Sequence, residues 1–414
     1  MEQFINAGTI RSNIANLPQL VFEVTDACNL KCKYCAYGEF YNDYDKREDK
    51  NLSVNKAICL IDYLCTYWNS DLCISSSIPM YISFYGGEPL MNFAFIENIV
   101  HYVNEKLFCP RRKFRFSMTT NAILLHKYMD FLVKNQFHLL ISLDGNKKNN
   151  SYRVDKKGNI SFERVLHNVD LLREKYPDFF KKNVNFNSVF HNKSTVEEVY
   201  SFFKKKYEKV PMFSELNNSG IRKERIDDFE KTYRNIEISL HQAENYDYIE
   251  RDLFLNSNGY KSLALYLHRY SGFYFKDYTD LLYKKTNLLY IPTGTCMPFS
   301  KKMFVTVNGK ILPCERIGHK FYLGKVSEKG VSINFENIAN RYNQYFDKMN
   351  AQCSKCKNRD ACIQCFFNLK NVNKPVCYGY MNQKEFVKYE KNQLEFLRKH
   401  PEAFQEIMEK VITL

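Results

Sequence analysis

No apolar run in the 414-residue sequence approaches the roughly 18 residues that a membrane-spanning helix needs. The opening stretch, MEQFINAGTIRSNIANLPQL, likewise lacks the uninterrupted apolar centre of a secretory signal. These two absences predict a soluble, cytoplasmic protein in a reducing compartment, where disulfides are not the default state of cysteine. Acidic residues are in deficit as well: 46 Asp and Glu against 60 Lys and Arg leave a formal charge of +14. A basic stripe is missing, because the lysines are scattered apart from short runs such as Lys204–Lys205–Lys206. Nucleic acid is therefore not the expected partner, and a solvated basic surface, which also suits an acidic peptide, is. There is no internal repeat and no histidine pair at metal-ligand spacing on a helix.

What is present argues for a globular protein. Apolar residues make up 45% of the chain, and 30 Tyr with 33 Phe supply ample core. The length predicts two compact units, since single cores rarely grow past roughly 250 to 300 residues. Fourteen cysteines in a reducing compartment are better explained as thiolates held for metal than as disulfides.

Short apolar runs alternate with segments of helical period between residues 20 and 215, the pattern of strand–helix units in a parallel sheet. Leu20–Thr25, Met80–Tyr85, the alternating Phe114, Phe116 and Met118, Phe137–Leu143, Asn183–Phe190 and Val210–Phe213 read as six strands. Ser53 is placed to cap a helix with Ile58, Ile61, Leu64, Cys65 and Trp68 on one face, and Ile96, Ile99, Val100, Val103 and Leu107 line another. Ser194–Thr195–Val196–Glu197 reads as a capping box. The fold class expected is α/β, a partial (β/α)6 TIM-like barrel, with its ligand site at the carboxyl ends of the strands. The expected organisation is an arm over 1–19, the barrel over 20–215, and a connector over 216–290 with a helical stretch at Arg225–Gln242. A cysteine-rich domain over 291–383 and a helical tail over 384–414 complete it.

The strongest chemical signal is CNLKCKYC, which sets Cys28, Cys32 and Cys35 directly after the first strand. Three thiolates in one tight loop can hold three corners of a cubane cluster and leave the fourth iron without a protein ligand. Zinc normally wants four closed ligands in paired spacing, and no histidine or fourth cysteine lies close by. Cys59, Cys65, Cys73 and Cys109 stand outside the clustered sets and read as core fillers.

This CxxxCxxC loop, with Tyr34 before its last cysteine, resembles that of the radical S-adenosylmethionine (SAM) superfamily. The resemblance implies a [4Fe–4S] cluster whose free iron is chelated by the methionine moiety of SAM. Reductive cleavage of the sulfonium then gives a 5′-deoxyadenosyl radical that abstracts hydrogen from substrate. By the same resemblance Gly86–Gly87–Glu88–Pro89 after the second strand is the GGEP motif that meets the methionine ammonium, glycine allowing close backbone approach. Thr119–Thr120–Asn121 and Ser142–Leu143–Asp144–Gly145 are similar to the TTN and S-x-DG segments. They make Thr120 and Asn121 cofactor-binding candidates, and Ser142 and Asp144 partners of the ribose or the reacting peptide. Arg153 occupies the place of an arginine expected to pair with the SAM carboxylate. The sequence departs from many relatives in carrying Asn149 and Asn150 where His-Asp is usual.

At the other end, twelve residues separate Cys296 from Gly309 and four separate Gly309 from Cys314. Cys353, Cys356, Cys362, Cys365 and Cys377 then follow. This series resembles the SPASM domain of peptide-modifying radical SAM enzymes. The resemblance implies two auxiliary [4Fe–4S] clusters, one enclosed by Cys353, Cys356, Cys362 and Cys377, the other held by Cys296, Cys314 and Cys365. The second set has three thiolates, leaving room for a substrate thiolate or a non-cysteine ligand. Cys362 and Cys365 are separated by two residues where the family usually has three, which leaves the partition between clusters open. A zinc ribbon built from CSKC and CIQC is disfavoured, as five residues between the pairs are too few for the usual ribbon loop.

The functional expectation is a radical SAM oxidoreductase that matures a ribosomally made peptide, installing a thioether or carbon–carbon crosslink or an oxidation. The alternatives are anaerobic sulfatase maturation, converting Cys or Ser to formylglycine, and a non-catalytic cluster-bearing scaffold that binds peptide. Implied partners are the precursor peptide and an external electron donor of flavodoxin or ferredoxin type. Only some 20 residues precede the first strand, too few for an N-terminal leader-recognition domain, so substrate docking is expected to use the connector, the tail or a separate leader-recognition protein. No catalytic acid or base is assigned from sequence.

Overall fold

A computed structural model of the protein describes residues 4–254, 262–267, 292–369, 373 and 375–409. The chain forms two compact units, Leu17–Asp252 with Lys301–Ile333, and Met1–Asn16 with Leu253–Ser300 and Asn334–Leu414. Within the expected connector, 255–261 and 268–290 lie outside the described residues, as do 410–414 of the tail.

The first unit is built on one sheet. Its strands are β1 (Gln19–Thr25), β2 (Met80–Gly86), β3 (Phe114–Thr120), β4 (His138–Ser142), β5 (Val184–Phe190) and β6 (Met212–Glu215). Four short strands follow: β7 (Met303–Val305), β8 (Lys310–Leu312), β9 (Gly324–Ser327) and β10 (Gly330–Ile333). The order is β10-β9-β8-β7-β1-β2-β3-β4-β5-β6, with β1 to β6 parallel throughout. Helices at Val54–Trp68, Phe93–His101, Leu125–Lys134, Phe162–Lys175 and Val196–Tyr207 fill the crossovers, giving the six-unit α/β partial barrel. Fully buried Phe22, Phe84, Phe95, Phe137 and Phe186 supply the bulk of its core.

Residues 301–333 belong to this sheet, although they fall within the expected cysteine-rich domain 291–383. The reason is an open edge. β1 is the first strand of an incomplete barrel, and β7 pairs with it in parallel, Leu20 opposite Met303 and Phe22 opposite Val305. All three β7 residues are buried, so the edge that an open barrel would expose is covered by the hairpins that follow.

Several local expectations shift by a residue or more. Ser53 precedes its helix without capping it by its side chain, because its hydroxyl donates instead to Glu328 at 2.9 Å. The buried face of that helix carries Ala57, Leu60, Ile61, Leu64, Cys65 and Trp68, while Ile58 is only half-buried. The residue that caps Val196–Tyr207 is Thr195, whose hydroxyl accepts from the Glu198 amide at 3.1 Å, so the cap sits one position later than the Ser194 box implied. The helix through Ile96 changes at Tyr102 to a wider π turn ending at Lys106, and Leu107 is extended. Arg225–Gln242 is not one helix: Ile226–Thr232 ends and Asn235 caps a second, Ile236–His241. Of the spare cysteines, Cys65, Cys73 and Cys109 are buried, and the Cys65 thiol donates to the Phe108 carbonyl at 3.4 Å.

The second unit centres on the helix Phe335–Cys353, capped by Asn334, whose side chain accepts from the Asn337 amide at 2.9 Å. Phe335, Ile338, Ala339, Tyr342, Phe346, Met349 and Cys353 recur at helical spacing and are all buried. Asn343 clamps the extended start of the chain, bonding both the amide and the carbonyl of Ile5 at 3.0 and 2.9 Å. The expected arm over 1–19 is thus structural: its helix Ala7–Ala15 packs in this unit, and the chain then enters β1. A separate small core of Leu263, Ala264, Tyr266, Ala403 and Ile407 ties residues 263–267 of the connector to the tail helices Gln383–Lys399 and Pro401–Glu409.

Candidate functional site

The loop that leaves β1 carries Cys28, Cys32 and Cys35, and the backbone fixes its shape. The Lys31 amide donates to Val154 at 2.7 Å and the Lys33 amide to Tyr152 at 3.2 Å, tying the loop to the segment after β4. Turns at Cys35 and Gly38 close it, with bonds of 3.2 and 2.7 Å back to Cys32 and Cys35. The Leu30 amide reaches Cys28 Sγ at 3.4 Å, Asn121 Nδ2 reaches the same sulfur at 3.8 Å, and Arg47 Nη2 stands 3.8 Å from Cys35 Sγ. Burial pushes the Cys28 thiol up to about 11 and that of Cys32 up to about 12. Both hold protons until a metal displaces them, so uptake of iron is coupled to proton release. Cys32, Cys35, Tyr37, Arg47, Arg222 and Arg225 line a cavity of about 520 Å³ at this loop.

Gly86–Gly87–Glu88–Pro89 packs directly beneath. Gly86 has φ of +128°, and a Cβ there would stand 2.3 Å from the Thr25 carbonyl oxygen. At Gly87 it would stand 2.0 Å from that of Ala27. Close approach is therefore demanded by the protein's own cysteine loop, to which the Gly87 and Glu88 amides donate at 2.8 and 2.9 Å. Pro89 is buried and opens the turn Pro89–Asn92. Glu88 is fully buried, and its carboxylate accepts from Thr120 Oγ1 at 2.7 Å, the Asn121 amide at 2.7 Å and the Leu90 amide at 3.2 Å. Its first task is thus internal, joining the segment after β2 to the one after β3. Burial raises its pKa to about 7, which those three bonds only partly offset. Asn121 in turn bonds Asn29 Oδ1 at 2.7 Å, so the ends of β2 and β3 are stitched to the cysteine loop.

The segment after β4 forms a second polar knot. Asp144 is fully buried, with Arg153 Nη2 at 2.8 Å, the Val189 amide at 2.9 Å, the Tyr34 hydroxyl as a further donor and His191 Nε2 at 3.9 Å. Burial pulls its pKa upward, but the Arg153 charge and these bonds outweigh that and hold the carboxyl below its ordinary value. Tyr34 stacks on His191 with ring centres 5.5 Å apart, and the Arg153 guanidinium lies over the Tyr34 ring at 5.5 Å. Ser142 closes β4 opposite Asn187 of β5. The two asparagines that depart from the family pattern are buried and employed: Asn150 Oδ1 accepts from the Asp144 amide at 3.2 Å, and Asn149 Nδ2 donates to the Lys193 carbonyl at 3.1 Å. His191, for which no sequence pattern implies a role, joins this knot from the end of β5. Its 47-residue separation from Asp144 left no signal in the spacing.

In the second unit Cys353, Cys356, Cys362 and Cys377 line one cavity of about 260 Å³, bordered by Thr293, Gln352, Arg359 and Tyr380. Burial raises the Cys353 thiol to about 12, with the other three thiols adding to the effect. Burial raises the Cys365 thiol above its ordinary value, with Cys296 adding to the effect, and Cys365 lies beside Thr295. Cys314 belongs to the first unit, in the turn after β8, next to Glu315, whose carboxylate meets Lys302 at 3.1 Å.

These donor sets fit iron–sulfur clusters. Four thiols share one cavity, three more share one loop, and beside that loop the buried Nε atoms of Arg47 and Arg153 have no partner among the described residues. A cluster in the loop, with SAM bound, supplies single-electron cleavage of a sulfonium. The chain's own contribution is to hold the Cys28 end of the loop through Glu88 and Asn121, to set a cation against Cys35, and to keep Asp144 ionised inside the barrel.

An open parallel barrel with a thiol triad after its first strand defines an α/β iron–sulfur enzyme. Residues 22–205 match the family model of the radical SAM superfamily, and residues 296–366 that of the SPASM iron–sulfur cluster-binding domain. The chain carries a radical SAM domain followed by a SPASM iron–sulfur cluster-binding domain. It is 29% identical over 159 residues to the radical SAM cyclopropyl synthase TigE of Paramaledivibacter caminithermalis, covering 36% of this chain and 32% of that one. The cysteine-type anaerobic sulfatase-maturating enzyme of Clostridium perfringens aligns over 398 residues at 25% identity, 90% of this chain and 96% of that one. The first three curated relatives are matched over only 32%, 50% and 40% of their lengths. A solved structure of anSMEcpe with bound AdoMet superposes with a TM-score of 0.62, covering 96% of each chain at 20% identity, a likeness of fold. No helix among the described residues is long and apolar enough to cross a membrane.

Proposed function

We propose that this enzyme matures a ribosomally made peptide, using SAM-derived radical chemistry to install a thioether or carbon–carbon crosslink or an oxidation. The observation that carries the reading is the Cys28–Cys32–Cys35 loop stitched by Glu88 and Asn121 to the ends of β2 and β3. Gly86, Gly87, Pro89, Thr120, Ser142, Arg153 and Tyr34 border the proposed SAM site. The SPASM cysteines hold two auxiliary clusters, with Cys353, Cys356, Cys362 and Cys377 around one of them. A peptide substrate is favoured by the relatives: one is a cyclopropyl synthase, and anSMEcpe has been solved with AdoMet and a peptide named Cp18Cys. An external reductant of flavodoxin or ferredoxin type and a leader-recognition partner complete the proposal.

Sulfatase maturation is the second reading, favoured by the alignment along 90% of this chain with the C. perfringens enzyme. One experiment separates the two. The reduced enzyme is incubated anaerobically with SAM and either a candidate precursor peptide or a sulfatase-derived peptide, and 5′-deoxyadenosine and peptide mass are read together. Loss of two hydrogens from the precursor supports peptide maturation, whereas an aldehyde on the sulfatase peptide alone supports the second reading. Absence of 5′-deoxyadenosine with every peptide sinks both.

A further inference from the structure

Tyr342 lies in the middle of the helix Phe335–Cys353 with no exposed surface. Its ring packs against Phe346, Phe366 and Phe367, with centres 6.0, 5.7 and 5.8 Å away. Such a pocket asks for phenylalanine. The hydroxyl it receives instead is buried and has no hydrogen-bond partner among the described residues. A buried hydroxyl without an acceptor is unfavourable, and folded proteins rarely leave one.

The surroundings name the missing acceptor. Phe366 and Phe367, which hold the ring, directly follow Cys365 in the chain. Of the charges that act on the phenol, those of the Cys365 and Cys296 thiols are the strongest. Burial first, and these two thiols next, push its pKa well above the ordinary tyrosine value. The group therefore stays a neutral O–H, a donor rather than a phenolate ligand.

We infer that the Tyr342 hydroxyl donates a hydrogen bond to a sulfur of the auxiliary cluster bound at Cys296 and Cys365. The inference rests on the auxiliary-cluster reading of those two cysteines. A hydrogen bond to a cluster sulfur offsets negative charge and raises the reduction potential. Tyr342 is thus a positioning and tuning residue: it makes this cluster a better electron acceptor and has no part in the first cluster's chemistry.

The test uses full-length, anaerobically reconstituted protein in a Cys32→Ala background, which removes the signal of the SAM-binding cluster. Tyr342→Phe is compared with Tyr345→Phe, a half-buried neighbour on the same helix, by iron analysis and redox titration followed by electron paramagnetic resonance. The expected result is unchanged auxiliary iron and a negative shift in the potential of one cluster in Tyr342→Phe, with none in Tyr345→Phe. Full iron with unchanged potentials overturns the inference. Loss of that cluster's iron in Tyr342→Phe also overturns it, by making the residue a ligand. Absence of auxiliary iron from the parent protein instead removes the cluster reading itself. Should Tyr342→Phe fail to fold, the parent's Fe–S stretching frequencies in H2O and D2O read the same bond: no shift counts against it.

Discussion

Arg153 Nη2 stands 2.8 Å from Asp144 Oδ1 inside the barrel, an ion pair between two buried side chains nine residues apart. Neither partner faces bulk water, so each depends on the other for compensation of its charge. Asp144→Asn leaves the guanidinium buried without its counter-ion and is expected to cost about 3–5 kcal/mol of folding free energy. Urea unfolding measures it, and a loss below about 1 kcal/mol would show that the pair is dispensable. The folded carboxyl sits below its ordinary pKa, so this contribution is present above the unfolded value near 4 and is lost only in stronger acid.

Glu23 on β1 gives the opposite sign. It accepts from the Val307 amide at 2.9 Å, but burial dominates and raises its pKa to about 7. A raised folded pKa means that the native state binds the proton more tightly. Its stabilising effect is complete below the unfolded pKa near 4.5 and disappears as pH rises through 7. Over that window the wild type is expected to lose roughly 3 kcal/mol from this group, and Glu23→Gln should flatten the slope. Thermal midpoints of both proteins between pH 5 and 8 are the measurement; parallel slopes would refute the assignment.

At Gly87 an added methyl would lie 2.0 Å from the Ala27 carbonyl oxygen, immediately before Cys28. The backbone cannot yield without moving the first thiol of the loop. Gly87→Ala is expected to fold, because the strands are untouched, yet to lose about four of roughly twelve iron atoms. Iron analysis alongside circular dichroism checks both halves of this prediction, and a full iron complement in the variant would contradict it.

Cys32→Ala should abolish 5′-deoxyadenosine formation and lower iron to about eight atoms, the complement of the two proposed auxiliary clusters, one of them at the four-thiol cavity of the other unit. Chromatographic detection of the nucleoside, with colorimetric iron, reads both. Undiminished nucleoside would place the sulfonium chemistry elsewhere.

The barrel was legible because its evidence is local. Apolar runs such as Leu20–Thr25 and Met80–Tyr85 are strands wherever they are buried on both faces, and CNLKCKYC carries its chemistry within eight residues. Helix faces and caps were read less well. Thr195 rather than Ser194 accepts at the start of its helix, and Ser53 is drawn off to Glu328, because a hydroxyl bonds whatever donor or acceptor the fold presents.

The sequence by itself determined the six parallel strands and the thiol-bearing loop that follows the first of them, since hydrophobic period and thiol spacing act over a few residues. Only the tertiary structure decided that β7 closes the open edge of β1, that Glu88 binds the chain's own TTN segment, and that His191 joins Asp144 and Arg153. Those arrangements arise from unpaired edges and buried charges seeking partners far along the chain, and no local pattern records which partner they find.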